Sequence, residues 1–280
     1  MRLHSVLLLI VALAARSAVG ASVDGIPIHY TAAGAGPATL VFVHGWTCDE
    51  TSWAQQAPRF SADYRVLTLD LPGHGQSGAP EDGQFSMDLF ARAIEAVRAE
   101  AGADAIVLIG HSMGVPVIRE YARDYPEHTA GLFAVDGPLT LAAFAAFTGD
   151  EDAGPPEFPD VGGPNGLTVR EDMIRGMFTS ATPEPVQTHV LDMMLSAPAE
   201  TAAGAMAAMG DPDIWKDDPL SMPVFAVYAG TSNVPDAAAI REVAPQYEAA
   251  QVAGTGHFVM LEKPEEFNRL LVEFLDAIDF

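Results

Sequence analysis

Ser112 stands at the centre of Gly110-His111-Ser112-Met113-Gly114, a G-x-S-x-G pentapeptide that follows the apolar run Ala105–Ile109 and leads into the helix-like segment Val117–Tyr125. A serine hydroxyl is a weak nucleophile unless its oxygen is exposed beside a base and a site that stabilises negative charge. A tight strand-to-helix turn gives that exposure, and glycines two residues to either side let the backbone pass without side-chain clashes. Small-residue turns are common, so the flanking strand and helix signals give this one its meaning.

The base that such a serine needs is best supplied by His257, in Gly254-Thr255-Gly256-His257-Phe258, a glycine-rich turn just ahead of the last helix-like segment. The order nucleophile, then histidine, is the one expected for this kind of elbow. His111 adjoins the serine, but successive side chains around a sharp turn point apart. His44, in His44-Gly45-Trp46, reads as a brace for its own loop, and His29, His74, His128 and His189 read as surface or loop residues. Acyl transfer also calls for fixed donors to the developing oxyanion, and backbone N–H groups serve because they need no reorganisation. Met113, next after the serine, is one expected donor; Trp46, in the loop after Thr39–Val43, is the other. Cys48 reads as a buried or pocket-rim thiol.

The elements that must carry these residues alternate strand and helix along the chain. Strand-like runs fall at Ile26–Thr31, Thr39–Val43, Tyr64–Leu69, Ala105–Ile109, Leu132–Val135, Val224–Tyr228 and Tyr247–Val252. Helices fit Ser86–Ala101, Val117–Tyr125, Ala237–Val243 and Pro264–Ile278; in the last, Phe267, Leu270, Leu271, Phe274, Leu275 and Ile278 recur at helical spacing. The fold class expected is therefore α/β: a mostly parallel central sheet flanked by helices. Between Pro138 and Leu220 the strand signals stop. Helix candidates at Leu139–Phe147, Val169–Phe178, Pro185–Ser196 and Ala199–Met209, with a Pro/Gly/acid loop over Gly149–Gly166, predict an α-helical cap, residues 138–220, inserted into a core of residues 21–137 and 221–280. Seven of the eleven methionines lie in Met173–Met222. Unbranched thioethers suit irregular apolar pockets, so Met173 and Met177, with Trp46, Phe144, Phe147 and Phe258, are expected to line a substrate site.

Composition narrows the field. A 280-residue chain that is 49% hydrophobic can bury a sizeable core, and its net charge of −24 opposes binding to nucleic acid or anionic membranes, both of which call for basic patches. Arg2 and His4 precede the apolar run Val6–Ala15, and Ala18-Val19-Gly20 offers small residues at a cleavage site, so residues 1–20 read as an export signal. The run is short for a membrane span, and an exported periplasmic or secreted protein without stable membrane insertion is expected. A single cysteine excludes an internal disulfide framework, and the absence of a Cys/His cluster or H-E-x-x-H spacing predicts neither metal nor cofactor. Neither heptads nor an uncovered apolar stripe signals an oligomer.

Taken together, His44-Gly45-Trp46, Asp70-Leu71-Pro72-Gly73-His74-Gly75-Gln76-Ser77, Gly110–Gly114 and Gly256-His257-Phe258 resemble the α/β-hydrolase fold superfamily, in particular its capped, esterase-like members. The resemblance covers almost all of residues 23–280. Serine at 112, where dehalogenase and epoxide-hydrolase relatives carry aspartate, implies hydrolysis of an ester, lactone or thioester. In most relatives the acid that supports the histidine stands in a G-x-x-D pattern after the strand matching Val224–Tyr228. Here the pattern reads Gly230-Thr231-Ser232-Asn233, and an asparagine cannot carry the charge that steadies an imidazolium. Some members of the superfamily place the acid at the end of the preceding strand, which implies Asp136. Asp236 is the alternative, although its position ahead of Ala237–Val243 also suits an N-cap.

The expectation is an exported serine hydrolase that cleaves a small apolar carboxylic ester or lactone through an acyl-enzyme on Ser112, His257 and Asp136. Two other readings compete. One is C–C bond hydrolysis or cofactor-free haloperoxidase-like chemistry on the same three residues. The other is a non-catalytic ligand receptor, for which Asn233 is the only support.

Overall fold

The computed structural model of the chain describes residues 16–81, 83–148, 158–216 and 218–280. Most of the expected export segment, residues 1–15, lies outside the described residues. Its last five, Arg16–Gly20, open the strand β1 (Arg16–Val23), which had no strand signal of its own. β1 turns back through Asp24 and Gly25, both at positive φ, into β2 (Ile26–Ala33). Asp-Gly is the sequence suited to such a two-residue hairpin, because both positions must adopt φ > 0.

The remaining strands are β3 (Thr39–Val43), β4 (Arg65–Leu69), β5 (Ile106–His111), β6 (Thr129–Val135), β7 (Val224–Ala229) and β8 (Tyr247–Val252). They form one sheet in the order β1-β2-β4-β3-β5-β6-β7-β8. β1 and β2 pair antiparallel, as do β2 and β4, and every other pairing is parallel. β3 and β5 are buried along their whole length, which is why they read as unbroken apolar runs rather than alternating ones.

The helices are α1 (Ala57–Phe60), α2 (Met87–Glu100), α3 (Gly114–Asp124), α4 (Leu141–Thr148), α5 (Gly166–Gly176), α6 (Glu184–Ser196), α7 (Ala199–Met209), α8 (Ala237–Val243), α9 (Val259–Glu262) and α10 (Pro264–Ala277). Ser86 caps α2 by accepting from the Leu89 amide. α10 buries Phe267, Leu270, Leu271, Phe274 and Leu275, and Phe274 packs on Phe133 of β6 and Phe225 of β7. That apolar stripe fixes the helix to the part of the sheet that carries the candidate site.

α4 to α7 occupy the connection from β6 to β7, and among its described residues no strand interrupts them. This helical insertion is tied to the core through backbone oxygens. The Trp46 indole donates to the Ala202 carbonyl at 2.8 Å, and the Thr201 hydroxyl donates to the Gly73 carbonyl at 3.0 Å. Arg119 of α3, 1% exposed, donates to the carbonyls of Ile214 and Lys216 where the chain returns toward β7.

Candidate active site

The C-terminal ends of β3, β5, β6 and β7 meet at one edge of the sheet, and the candidate residues leave from them. His111 is the last residue of β5, and α3 begins at Gly114, so Ser112 and Met113 make the whole turn. Ser112 adopts φ +54°, a left-handed conformation that is costly for a residue with a Cβ and persists only where its surroundings over-determine it. Its amide donates to Val135 of β6 at 2.9 Å, and its carbonyl accepts from Val115, also at 2.9 Å. Gly114 must be a glycine: a Cβ there would lie 2.6 Å from the Val43 carbonyl oxygen and 2.8 Å from that of His44.

Asp136 follows β6 directly, also at positive φ (+43°), and is 1% exposed. One carboxylate oxygen, Oδ1, accepts from the Ala229 amide and from the Ser232 hydroxyl, each at 2.7 Å. The other, Oδ2, lies 2.6 Å from Nδ1 of His257. Burial by itself pushes the carboxyl upward. The contact with His257 and the donors from Ala229 and Ser232 outweigh it and hold Asp136 below the usual carboxylate range, ionised at neutral pH. An ionised carboxylate can only accept, so the proton between the two residues sits on Nδ1, and Nε2 is the nitrogen that can take a proton.

Asp236, the alternative acid, is exposed and accepts from the Ala238 amide at 3.0 Å as the cap of α8, which takes it out of contention. Asn233 is exposed as well. Ser232, one residue earlier, is the neighbour that reaches Asp136, and only the folded chain reveals that role.

The histidines divide by burial. His44 donates from Nδ1 to the Gly45 carbonyl at 2.8 Å and accepts the Leu71 amide on Nε2 at 3.0 Å, so it locks the loop after β3 to the loop after β4. Its burial lowers its pKa. His111 donates from Nε2 to the carbonyl of His257 at 3.0 Å, and burial followed by the nearby His257 pushes it down to about 3. His29, buried in β2, corrects the surface-or-loop reading, whereas His74 is a loop residue but a buried one. His29 meets Glu50 at 3.0 Å, whereas His74 donates to the Pro72 carbonyl and is pushed down to about 3 by burial. Cys48 is buried, and its thiol rises to about 12 through desolvation, which removes it as a nucleophile.

Ser112, His257 and Asp136 share one cavity of about 420 Å³ between the sheet edge and the helical insertion. Trp46, Met113, Phe144, Met173 and Met177 line it, together with Pro116, Pro138, Phe158, Met206, Met209 and Trp215, which carried no individual signal in the sequence. Thr231 and Ser232 add two hydroxyls, and among the described residues neither lysine nor arginine lines the wall. Phe258 departs from expectation: it is fully buried behind the site, packed on His111, His257 and Phe178, and does not line the cavity. The side chain of Phe147 lies outside the described residues. The backbone amides of Trp46 and Met113 both belong to residues of the cavity wall, and neither donates to another group among the described residues. Also among those residues, no group of histidine, cysteine and carboxylate side chains could hold a metal ion, and no helix is long and apolar enough to cross a membrane.

Residues 40–270 match the sequence pattern described as the Alpha/beta hydrolase family. The chain is 27% identical over 268 residues to the dihydrolipoyllysine-residue acetyltransferase component of the acetoin cleaving system of Cupriavidus necator, covering 91% of this chain and 68% of that one. It is 27% identical over 264 residues to the pimeloyl-[acyl-carrier protein] methyl ester esterase of Sodalis glossinidius, covering 89% of this chain and 98% of the esterase. Among solved structures, a thermophilic esterase from Thermogutta terrifontis superposes with a TM-score of 0.78 at 24% identity, over 95% of this chain and 99% of that one.

Proposed function

The chain belongs to the alpha/beta hydrolase family, and from that premise we propose that it is a serine hydrolase of small, uncharged carboxylic esters or lactones. The observation that carries the proposal is the 2.6 Å contact between Asp136 and Nδ1 of His257, on the wall of a cavity that Ser112 also lines. His257 takes the Ser112 proton on Nε2 while the serine oxygen attacks the substrate carbonyl. The oxyanion is held by the amides of Trp46 and Met113, which donate to no other group among the described residues. His257 then passes its proton to the departing alkoxide, leaving an acyl-serine. Water deprotonated by the same nitrogen releases the acid. Asp136 keeps the imidazole in the tautomer whose Nε2 carries no proton and stabilises the imidazolium as it forms.

The likeness to the Sodalis glossinidius methyl ester esterase, which extends over nearly its whole length, supports ester chemistry. Five methionines, two tryptophans and two phenylalanines on the wall favour an apolar acyl or alkyl group. We also propose export through residues 1–20. Cleavage after Gly20 leaves Ser22 and Val23 of β1 to pair with Pro27 and Ile26 of β2.

The test is hydrolysis of a short-chain chromogenic ester and of a lactone by the wild type, Ser112→Ala and Asn233→Asp. Ser112→Ala should lose turnover while remaining folded; retained turnover overturns the acyl-enzyme. Asn233→Asp should change little, because position 233 faces solvent while Asp136 already holds the imidazole. A silent wild type awakened by Asn233→Asp would instead identify a binding protein on a hydrolase scaffold.

A further inference from the structure

We propose that Glu262 is the positioning residue for His257, and that it fastens the histidine loop to the helical insertion. The proposal rests on the reading of His257 as the base. Glu262 ends the short helix α9, five residues past the histidine and partly buried. Its Oε2 accepts from the Gly256 amide at 2.9 Å and from the Thr182 hydroxyl at 2.8 Å, and its Oε1 accepts from the Phe258 amide at 3.3 Å. One carboxylate thus holds the peptide groups on both sides of His257 and a side chain from the insertion. Hydrogen bonds to an ionised acceptor are stronger than neutral ones, which suits a group that must fix a loop.

The histidine's own peptide group is held as well. Its N–H donates to the Met177 carbonyl at 3.0 Å, and its carbonyl accepts from His111 at 3.0 Å. Met177 follows α5 and lines the cavity, whereas Thr182 is nearly inaccessible, at 4% exposure. The approach is close: a Cβ on Gly256 would lie 2.5 Å from the Met177 carbonyl oxygen. The segment 177–182 therefore reaches the loop at two points, once directly and once through Glu262, and its seating sets where the imidazole stands. A ligand that presses on Met177 acts on the base through the same contacts.

The experiment compares wild type, Glu262→Ala, Glu262→Gln, Thr182→Val and the Glu262→Ala/Thr182→Val pair. The readouts are kcat and KM on a short-chain chromogenic ester, and the downfield proton resonance of the His257 Nδ1–H bonded to Asp136. Glu262→Ala should lower kcat by about 100-fold, the scale of a displacement near 1 Å, with KM little changed and the resonance broadened or lost. Glu262→Gln should recover part of that loss, because its amide oxygen can keep the Gly256 and Thr182 bonds while its NH2 cannot accept from Phe258. Thr182→Val should lower kcat by a smaller factor, and the double variant should be no slower than Glu262→Ala, since both changes cut one connection.

Wild-type kcat and an unaltered resonance in Glu262→Ala overturn the proposal, as does a loss confined to KM. If Glu262→Ala does not fold, Thr182→Val decides: unchanged kcat with an unchanged resonance overturns it. A wild type inert toward every ester and lactone tried, with Ser112 unreactive toward a fluorophosphonate, defeats the hydrolase reading instead. The resonance still tests the clamp in that case, because it needs no turnover.

Discussion

The indole N–H of Trp46 donates to the carbonyl of Ala202 at 2.8 Å, joining the loop after β3 to α7 of the insertion. One residue therefore contributes an amide at the sheet edge, a face on the cavity and a tie across its roof. Trp46→Phe separates these roles: it keeps the amide and most of the ring surface but removes the indole donor. Loss of one buried hydrogen bond costs about 1 kcal/mol, a factor of about five in how firmly the insertion is held. KM should rise several-fold and kcat change less, in Michaelis curves taken side by side. A fall in kcat with KM unchanged would mean that the indole acts on the chemistry.

Asp136→Asn tests the acid without emptying its site. The asparagine oxygen should keep facing Ala229 N–H and Ser232 O–H, since both are donors, and this turns its NH2 toward Nδ1 of His257. Nδ1 must then accept, and the imidazole proton moves to Nε2, where it blocks removal of the Ser112 proton. A loss in kcat of about 10⁴-fold is expected, the scale seen when a triad histidine is held in the wrong tautomer. Circular dichroism and thermal unfolding should show the fold intact. A rate near that of the wild type removes Asp136 from the mechanism.

Acid stability should be limited by histidines rather than by carboxylates. His74 and His111 are held neutral down to about 3 in the folded chain, whereas the unfolded chain protonates them near 6.5. Their folded values lie below the unfolded ones, so the unfolded state binds more protons between those limits and stability falls as pH drops. Each contributes about 1.4 kcal/mol per pH unit in that window. Asp136 works in the same direction at lower pH: its depressed value gives stability that is present above about 3.9 and lost as pH falls through the folded value. Denaturant melts between pH 7 and pH 4 should show unfolding coupled to net proton uptake, to which His44, also lowered by burial, adds. A flat profile over that range would show that the two imidazoles titrate in place.

Charge should exclude one class of substrate. Among the described residues the cavity wall carries neither lysine nor arginine, and the chain as a whole has a net charge of −24. A dimethyl ester and the matching half-acid differ by one carboxylate close to the reacting group. The neutral ester should have the higher kcat/KM at pH 8, and the gap should narrow as added salt screens the field. Equal rates would require a cationic subsite, which is absent from the described cavity wall.

Much of this arrangement was legible in the sequence because it depends on local chemistry. β3, β8, α7 and α8 match the runs read from periodicity, and the glycine-flanked turns around Ser112 and His257 announce themselves. Other features depend on what the fold brings near. β1 escaped because its residues resemble the end of an export signal, although Asp24-Gly25 is a hairpin sequence by itself. His29 and His74 read as surface or loop residues since nothing local in the sequence reveals their burial. Phe258 sits beside His257 in sequence, yet the turn sends its ring inward. Glu262 carried no signal in the sequence: two of its donors, the Gly256 and Phe258 amides, are close by in the chain, but the third, Thr182, comes from the distant insertion.

The insertion leaves the sheet after β6 and returns at β7, and these strands are neighbours, paired from Leu132 with Val224 to Val135 with Val227. Asp136 stands where the insertion leaves, and its carboxylate is bonded to Ala229, the last residue of β7, and to Ser232 just beyond it. The residue bonded to His257 therefore also ties the end of β6 to the end of β7, and the strands themselves pair directly. Helices between these strands can lengthen, shorten or exchange side chains over generations while the two strand ends keep their spacing. Inheritance can in this way revise which molecules are admitted without reopening the contact between acid and histidine.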